Sequence, residues 1–425
     1  MKLAWVLRPN LINSDNNSGD SDYALSETVN LALSIDLKIP RAENIKVRTP
    51  KSATLFGNGF IEKVQEELLA APVDVIVVDR DLSPVQQRNL EKCWQCKVID
   101  RTGLILEIFG KRASSHEGRL QVEFAALTYQ RSRLIRAWTH LERQRGGYGF
   151  LGGPGESQIE SDRRQIDRRL KQIRKKLSSV VKNRRLQRNA RSRIPFPIVA
   201  LVGYTNAGKS TLFNRLTQAN VLAKDQLFST LDPTMRRLEL PSGQSVILSD
   251  TVGFISNIPT QLIAAFRATL EEVVAADLIL NVRDISHPEH SAQNKNVHNT
   301  LINIGIDVGQ TGKLIDVLNK TDRLSSEENH ELSFKAHGNP CQIAVSAKKG
   351  TGLYHLLTSL ENHLFMDHEI LEFSVGVGNG EAVAWLYRHG NVLSRSQTDQ
   401  NVQMRVSING RSKARFDQLF GLKQA

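Results

Sequence analysis

The hydrophobic pattern changes period several times along the chain. "VDVIVVD" (Val73 to Asp79) is a run of the kind that forms a buried strand. "KVIDR" and "LILEIF" (Leu104 to Phe109) share its β-rich character and predict two further strands. Between them, "LSPVQQRNLEK" opens like a helix, with Ser83 as cap and Pro84 at the first helical position. Residues 1–110 therefore read as a small α/β domain.

From about Arg112 to Gln144 the apolar positions shift to helical spacing, through Leu120, Phe124, Leu127, Leu134 and Trp138. A second helix is predicted from about Glu156 to Ala190, with Ile159, Ile166, Leu170, Ile173 and Leu177 on one face. "GGYGFLGGPGESQ" (Gly146 to Gln158) separates them, so residues 111–194 read as a long antiparallel hairpin with a glycine-rich connection. "RIPFP" (Arg193 to Pro197) punctuates the chain. Strands then alternate with helices to about Leu364, which predicts a mainly parallel sheet over residues 195–365. The remainder, 366–425, reads as a small strand-bearing domain. The fold class expected is α/β and multidomain.

Length fits this division, since 425 residues suit roughly two to four domains. No apolar run approaches the ~18 residues of a membrane helix, so no membrane insertion is expected. Three cysteines cannot build a disulfide framework, and a cytoplasmic location is the natural reading. The net charge of +12 matters more for where it lies. Between Arg163 and Arg193 stand fourteen Lys or Arg and one acid, Asp167. So one-sided an excess on one helix predicts a polyanionic partner, RNA, contacted mainly through phosphates.

"IVALVGYTNAGKSTLFNRL" runs strand, loop, helix, and its loop fits G-x-x-x-x-G-K-[ST]. Gly203, Tyr204, Thr205, Asn206, Ala207 and Gly208 would curl backbone N–H groups onto a β-phosphate. Lys209 would reach the β- and γ-oxygens, the helix dipole would help, and the Ser210 hydroxyl would face Mg²⁺, with Thr211 beside it. Three further motifs follow in order. Asp250, Thr251, Val252 and Gly253 form "DTVG", whose Asp would hold Mg²⁺ through water and whose Gly253 N–H would sense a γ-phosphate. Asn319, Lys320, Thr321 and Asp322 form "NKTD"; the Asp322 carboxylate can accept from guanine N1–H and its 2-amino group, which adenine cannot supply. Ser346, Ala347 and Lys348 lie in "VSAKKG", with the Ala347 N–H aimed at guanine O6. Together these predict GTP binding and hydrolysis. "FSTLDPT" offers Thr230 and Thr234 as the Mg²⁺-sensing threonine, and spacing alone does not choose.

With these motifs in place, the chain resembles the HflX family of translational GTPases over nearly its whole length. The resemblance rests on "LSPVQQRNLEK", "VIDRTGLILEIF", "HEGRLQVEFAALTYQRSRL", "RGGYG", "GPGESQIESDRR", "GYTNAGKSTLFNRL", "FSTLDPT" and "DTVGFI". It implies an N-terminal α/β domain with a helical hairpin, a Ras-like P-loop GTPase domain and a small α+β C-terminal domain. It also implies that Phe228, Ser229, Thr230, Leu231 and Asp232 form the first switch, with Thr230 as its Mg²⁺ ligand beside Ser210. Lys209, Thr230 and Gly253 would then serve hydrolysis. Family members bind the large ribosomal subunit and split stalled or idle ribosomes, notably under heat stress; a role in subunit maturation has also been proposed. The glycine loop would reach toward the peptidyl-transferase region. In GTPases resembling this one, an asparagine at the place of Asn206 can help seat K⁺. A monomer is expected.

Five positions depart from the family pattern. Phe150, Leu151 and an extra Gly152 stand where a basic residue is usual, Phe60 replaces a lysine, and Ser157 replaces a threonine. Phe254 follows the "DTVG" glycine where Ras-like enzymes carry a water-orienting glutamine, so slow intrinsic hydrolysis completed by the ribosome is expected. "CWQC" (Cys93 to Cys96) lacks a second pair for zinc, and His287, His290 and His298 read as a solvated face. The alternative functions are a large-subunit maturation GTPase and an RNA-remodelling protein whose N-terminal domain binds ATP. That domain shows no phosphate loop of its own.

Overall fold

The computed structural model describes residues 2–11, 18–144, 154–191, 196–218, 228, 234–255, 267–307, 312–337, 339 and 341–421. The chain divides into two compact units. One comprises Met1–Val180, Gln226–Leu231 and Ile258–Phe266; the other comprises Val181–Asp225, Asp232–Asn257 and Arg267–Ala425.

In the first unit, β1 (Lys2–Leu11), β2 (Leu37–Val47), β3 (Val75–Val78) and β4 (Lys97–Asp100) form a parallel sheet in the order β2-β1-β3-β4. Helices α1 (Ser18–Leu33), α2 (Asn58–Ala70), α3 (Pro84–Trp94) and α4 (Arg101–Arg112) accompany it. Trp5, Leu7, Phe56, Ile76, Val78, Leu90 and Trp94 share one apolar core. Phe60 lies in α2, where its ring meets Phe56 at 5.1 Å between centroids. As the sequence predicts, Ser83 caps α3 and Pro84 opens it; the structure adds a capping box between Ser83 and Gln86.

The stretch "LILEIF" is helical, not a strand, and forms the middle of α4. The Asp100 carboxylate turns the chain at the end of β4 by accepting from the Gly103 N–H at 2.8 Å. Leu104, Ile105, Ile108 and Phe109 are all buried. An apolar run enclosed on most sides has no clear period, so its spacing cannot separate helix from strand.

Charged groups fill the carboxyl ends of β3 and β4. Arg101 donates to Glu27 and Asp79 at 2.7 Å each, and Arg8 reaches Asp79 at 2.8 Å. Burial opposes the Arg101 charge, but the Asp79 and Glu27 carboxylates hold its pKa above the ordinary value. Next to them, the Tyr129 hydroxyl donates to Asp100 at 2.5 Å, and Arg133 bonds Asp100 and Gln87. Tyr129 and Arg133 belong to α5 (His116–Gln144), so these bonds fasten that long helix to the sheet.

Helix α6 (Pro154–Arg191) runs beside α5. Leu170 and Ile173 are buried, Ile166 and Leu177 half-buried. Arg169 pairs with Glu123 at 2.7 Å and Arg131 with Asp167 at 2.8 Å. The glycine-rich connection, 145–153, lies outside the described residues, and with it Phe150, Leu151 and Gly152.

In the second unit, β5 (Ile198–Gly203), β6 (Thr234–Glu239), β7 (Ser245–Asp250), β8 (Leu278–Asp284), β9 (Leu314–Asn319) and β10 (Gln342–Ala344) form one sheet in the order β10-β9-β8-β5-β7-β6. All pairings are parallel except β6 with β7. Helix α7 (Lys209–Thr217) follows β5 and buries Leu212 and Phe213 in the sheet's core. After it in the chain, β11 (His368–Gly376), β12 (Asn391–Gln397) and β13 (Asn401–Asn409) make an antiparallel sheet in the order β11-β13-β12. Helices Gly380–His389 and Gly410–Phe420 contribute Leu386 and Phe416 to its core with Phe373, Val375 and Val406. Among the described residues, no helix is long and apolar enough to cross a membrane.

Candidate functional site

Parallel strands deliver their successors to one edge of the sheet, and the four motifs meet there. β5 ends on Gly203, β7 on Asp250, β8 on Asp284 and β9 on Asn319. Gly203 has φ +143°, and a Cβ there would lie 2.2 Å from the Val282 carbonyl oxygen. Gly208 has φ +94°, and its Cβ would lie 2.3 Å from Asn319 Nδ2. Both close approaches need glycine. Asn206 also has positive φ, at +61°, a region asparagine tolerates better than most side chains.

Asn319 ties the phosphate loop to the base-side loop. Its Nδ2 donates to the Ala207 carbonyl at 2.9 Å, while its Oδ1 accepts from the Ala347 N–H at 3.0 Å. Asp322 accepts from the Ser346 hydroxyl at 2.5 Å, and that bond, foremost, holds its carboxyl below the ordinary carboxylate range. An ionised Asp322 with lone pairs left over can accept from donors such as guanine N1–H and the 2-amino group. Lys320, at φ +65°, pairs with Asp284 at 2.6 Å. Sequence reasoning missed Asp284. The available signal was its place as the last residue of the strand "LILNVRD", where it stands in register with Asn319.

Lys209 is buried, and its Nζ donates to the Gly203 and Tyr204 carbonyls at 3.1 and 2.7 Å. Burial lowers its pKa to about 8, with Asp250 opposing and Lys320 adding to the effect. The Ser210 hydroxyl donates to Asp250 at 2.7 Å. Thr211 follows it in the first turn of α7, and Thr251 donates to the Leu201 carbonyl at 2.5 Å. The "DTVG" loop lies directly on the phosphate loop. Thr205 N–H donates to the Phe254 carbonyl at 2.7 Å, and Phe254 N–H donates to the Gly203 carbonyl at 3.0 Å. A Cβ on Gly253 would lie 2.9 Å from Lys209 Nζ. Val252 and Phe254 are buried.

Of the first-switch residues, Ser229, Thr230, Leu231 and Asp232 lie outside the described residues. Phe228 is described and belongs to the first unit, buried with its ring edge-on to Phe109 at 4.8 Å. Thr234, the other threonine of the motif, begins β6 opposite Asp250. Lys348 follows Ala347 in the same loop and is exposed.

The cysteines of "CWQC" belong to the first unit. Cys93 and Cys96 are free, and the Cys96 thiol donates to the Val73 carbonyl at 3.3 Å. Burial, then the charges of Asp74 and Glu91, push that thiol up. His290 is lowered, first by burial and then by Arg283.

Three families match successive parts of the chain: "GTP-binding GTPase N-terminal" over residues 22–110, "GTP-binding GTPase Middle Region" over 112–191, and "50S ribosome-binding GTPase" over 198–320. The GTPase HflX of Magnetococcus marinus is 47% identical over 369 residues, covering 87% of this chain and 84% of that protein. The GTPase HflX of Escherichia coli is 45% identical over 317 residues, covering 75% and 73%. The chain belongs to the HflX family of GTPases. A solved structure of a GTP-binding protein from the archaeon Sulfolobus solfataricus, in complex with GDP, is also similar. It is 23% identical with a TM-score of 0.45, covering 85% of this chain and 98% of that one.

The chain is thus a GTP hydrolase of this family, with a P-loop GTPase fold for GTP as its substrate. The residues present suit the Mg²⁺ that such sites use. The Ser210 hydroxyl and Asp250 carboxylate are hard oxygen donors already side by side. Bound there, Mg²⁺ would neutralise charge on the β- and γ-oxygens.

Proposed function

We propose that this GTPase binds the large ribosomal subunit through ribosomal RNA and, in its GTP state, dissociates or rescues stalled ribosomes under stress. The exposed face of α6 carries this reading. Arg168, Lys171, Lys175 and Lys182 recur at i, i+3, i+7 and i+14, opposite the buried Leu170 and Ile173. That spacing lays four charges along one stripe of about 21 Å. None of the four forms an ion pair among the described residues, unlike Arg169 and Arg164. The family description of residues 198–320 as a 50S ribosome-binding GTPase supports the same partner.

Each site residue keeps the role its motif suggests. Gly203 to Thr211 hold the phosphates, Ser210 and Thr230 ligate Mg²⁺, Gly253 senses the γ-phosphate, and Asn319 to Asp322 with Ser346 to Lys348 read guanine. Phe254 cannot orient water, so hydrolysis is slow until the ribosome completes the site. K⁺ at Asn206 is part of the proposal, as are a monomeric state and the four-part division at about 110, 194 and 365. The ATP-binding alternative for the N-terminal domain is disfavoured because Arg8, Arg101, Tyr129 and Arg133 fill the strand ends where a nucleotide would sit.

The test is GTP turnover by the full chain, alone and with large ribosomal subunits, across salt. Strong stimulation is expected, and binding through four phosphate contacts should weaken about a hundredfold between 50 and 200 mM salt. No stimulation by subunits or whole ribosomes would end this reading. Stronger stimulation by precursor particles than by mature ribosomes would favour the maturation role instead.

A further inference from the structure

We propose that the C-terminal sheet reports the nucleotide state, coupled to the Mg²⁺ end of the site through the β6–β7 hairpin and a hydrogen-bonded joint at Gln244, Ser407 and Asn391. The hairpin is a continuous antiparallel ladder from Thr234–Asp250 to Glu239–Ser245. Its turn is closed by Leu240 N–H to the Gln244 carbonyl at 2.7 Å and Gly243 N–H to the Leu240 carbonyl at 2.9 Å. One end carries Asp250 against Ser210. The other end lies about 20 Å away, at the usual rise of a strand.

At that far end the Gln244 side chain is buried, 3% exposed, and its Nε2 donates to Ser407 Oγ at 2.8 Å. Ser407 is fully buried in β13, and its cross-strand neighbour in β12 is Asn391, 8% exposed. The joint is only half satisfied. Gln244 Oε1 and Asn391 Nδ2 are buried with no hydrogen-bond partner among the described residues. One is an acceptor and the other a donor; Gln244 bonds Ser407 directly, and Asn391 is the cross-strand partner of that serine.

Leaving such groups unmatched is unfavourable, and a folded chain seldom keeps two of opposite kind as neighbours. A small slide of the hairpin would let the Asn391 amide donate to Gln244 Oε1, giving the joint a second hydrogen-bonded arrangement. The hairpin cannot slide at one end alone, because its ladder transmits the shift to Asp250. Whatever ligand displaces Asp250 and the "DTVG" loop therefore biases the joint, and a partner gripping the C-terminal sheet biases nucleotide affinity in return. This assigns the sheet a function that its sequence did not disclose.

Hydrogen exchange on the full chain, bound to GDP or to a non-hydrolysable GTP analogue, tests this. Amides of Asn391–Gln397 and Asn401–Asn409 should exchange at rates differing severalfold between the two states. In Gln244→Ala that difference should vanish, while the difference across Gly203–Lys209 persists. Ser407→Ala, a smaller change, should behave alike and covers the case in which the first variant does not fold. Equal C-terminal exchange in both states of the wild type, or a difference that survives both substitutions, overturns the proposal. No response even at Gly203–Lys209 would remove the nucleotide-site reading along with it.

Discussion

Asp322→Asn should invert the base preference of the site. The Asp322 carboxylate accepts from the Ser346 hydroxyl and is held below the ordinary carboxylate range first by that bond. It is therefore an anion at neutral pH, with lone pairs left for guanine N1–H and the 2-amino group. Asparagine keeps one oxygen, which can still accept from Ser346, so the loop has no reason to collapse. Its amide, however, points a donor at a donor. Two charge-assisted bonds at about 1.5–3 kcal/mol each amount to roughly 3–6 kcal/mol, or a loss of GTP affinity of about 10²- to 10⁴-fold. Xanthine carries a carbonyl in place of the 2-amino group, so the variant should bind xanthosine triphosphate far better than the wild type does. Equilibrium titration of both nucleotides against both proteins measures this. GTP binding within threefold of wild type would refute the assignment of Asp322 as the guanine acceptor.

Lys209 is charged below a pKa of about 8, lowered chiefly by burial, and only its charged form attracts phosphate. Affinity for GDP should thus fall about tenfold from pH 7 to pH 9, and a flat titration would contradict this. Gly208→Ala places a Cβ 2.3 Å from Asn319 Nδ2 at φ +94°, so nucleotide affinity should drop by about 2 kcal/mol, roughly thirtyfold, by calorimetry. Turnover should be faster in K⁺ than in Na⁺ buffer if Asn206 helps seat K⁺, and equal rates would dismiss that role. Arg101→Met removes one buried cationic partner from each of Glu27 and Asp79, and should cost about 3–5 kcal/mol in urea unfolding. A change below about 1 kcal/mol would show the pair to be incidental.

Much of this protein was legible because glycines, caps and charged side chains leave local marks. Gly203 and Gly208 mark a loop only they can make, and Ser83 with Pro84 marks the start of α3. The helices of the hairpin announced themselves through Leu170 and Ile173, which are buried as their spacing requires. The stretch Leu104 to Phe109 misled because α4 is buried on most sides and loses its polar face. Asp284 and Asn319 depend on contacts across 30 residues or more, with Lys320 and Ala207 respectively, and no local pattern encodes such a partner. The joint at Gln244 and Ser407 spans 163 positions and carries no motif at all.

The phosphate loop also bears on what limits the cycle. In the described state Thr205 N–H and the Gly203 carbonyl are both engaged by Phe254, and Gly253 stands against Lys209 Nζ. A γ-phosphate held by Lys209 is expected to meet the segment around Gly253, where an added Cβ would already lie 2.9 Å from Lys209 Nζ. The expectation is that GTP separates the "DTVG" loop from the phosphate loop, breaking two backbone bonds worth about 0.5–1.5 kcal/mol each. GDP, which ends at the β-phosphate, need not. The isolated protein should then bind GDP about 5- to 150-fold more tightly than GTP, by roughly 1–3 kcal/mol. Phe254 makes this bias durable, since its buried ring anchors the paired segment where a glutamine would favour water. Phe254→Ala should narrow the gap between the two affinities by weakening that anchor, read by competitive titration of the two nucleotides. If the variant kept the full preference for GDP, or the wild type showed none, the pairing of the two loops would not be what holds the switch closed.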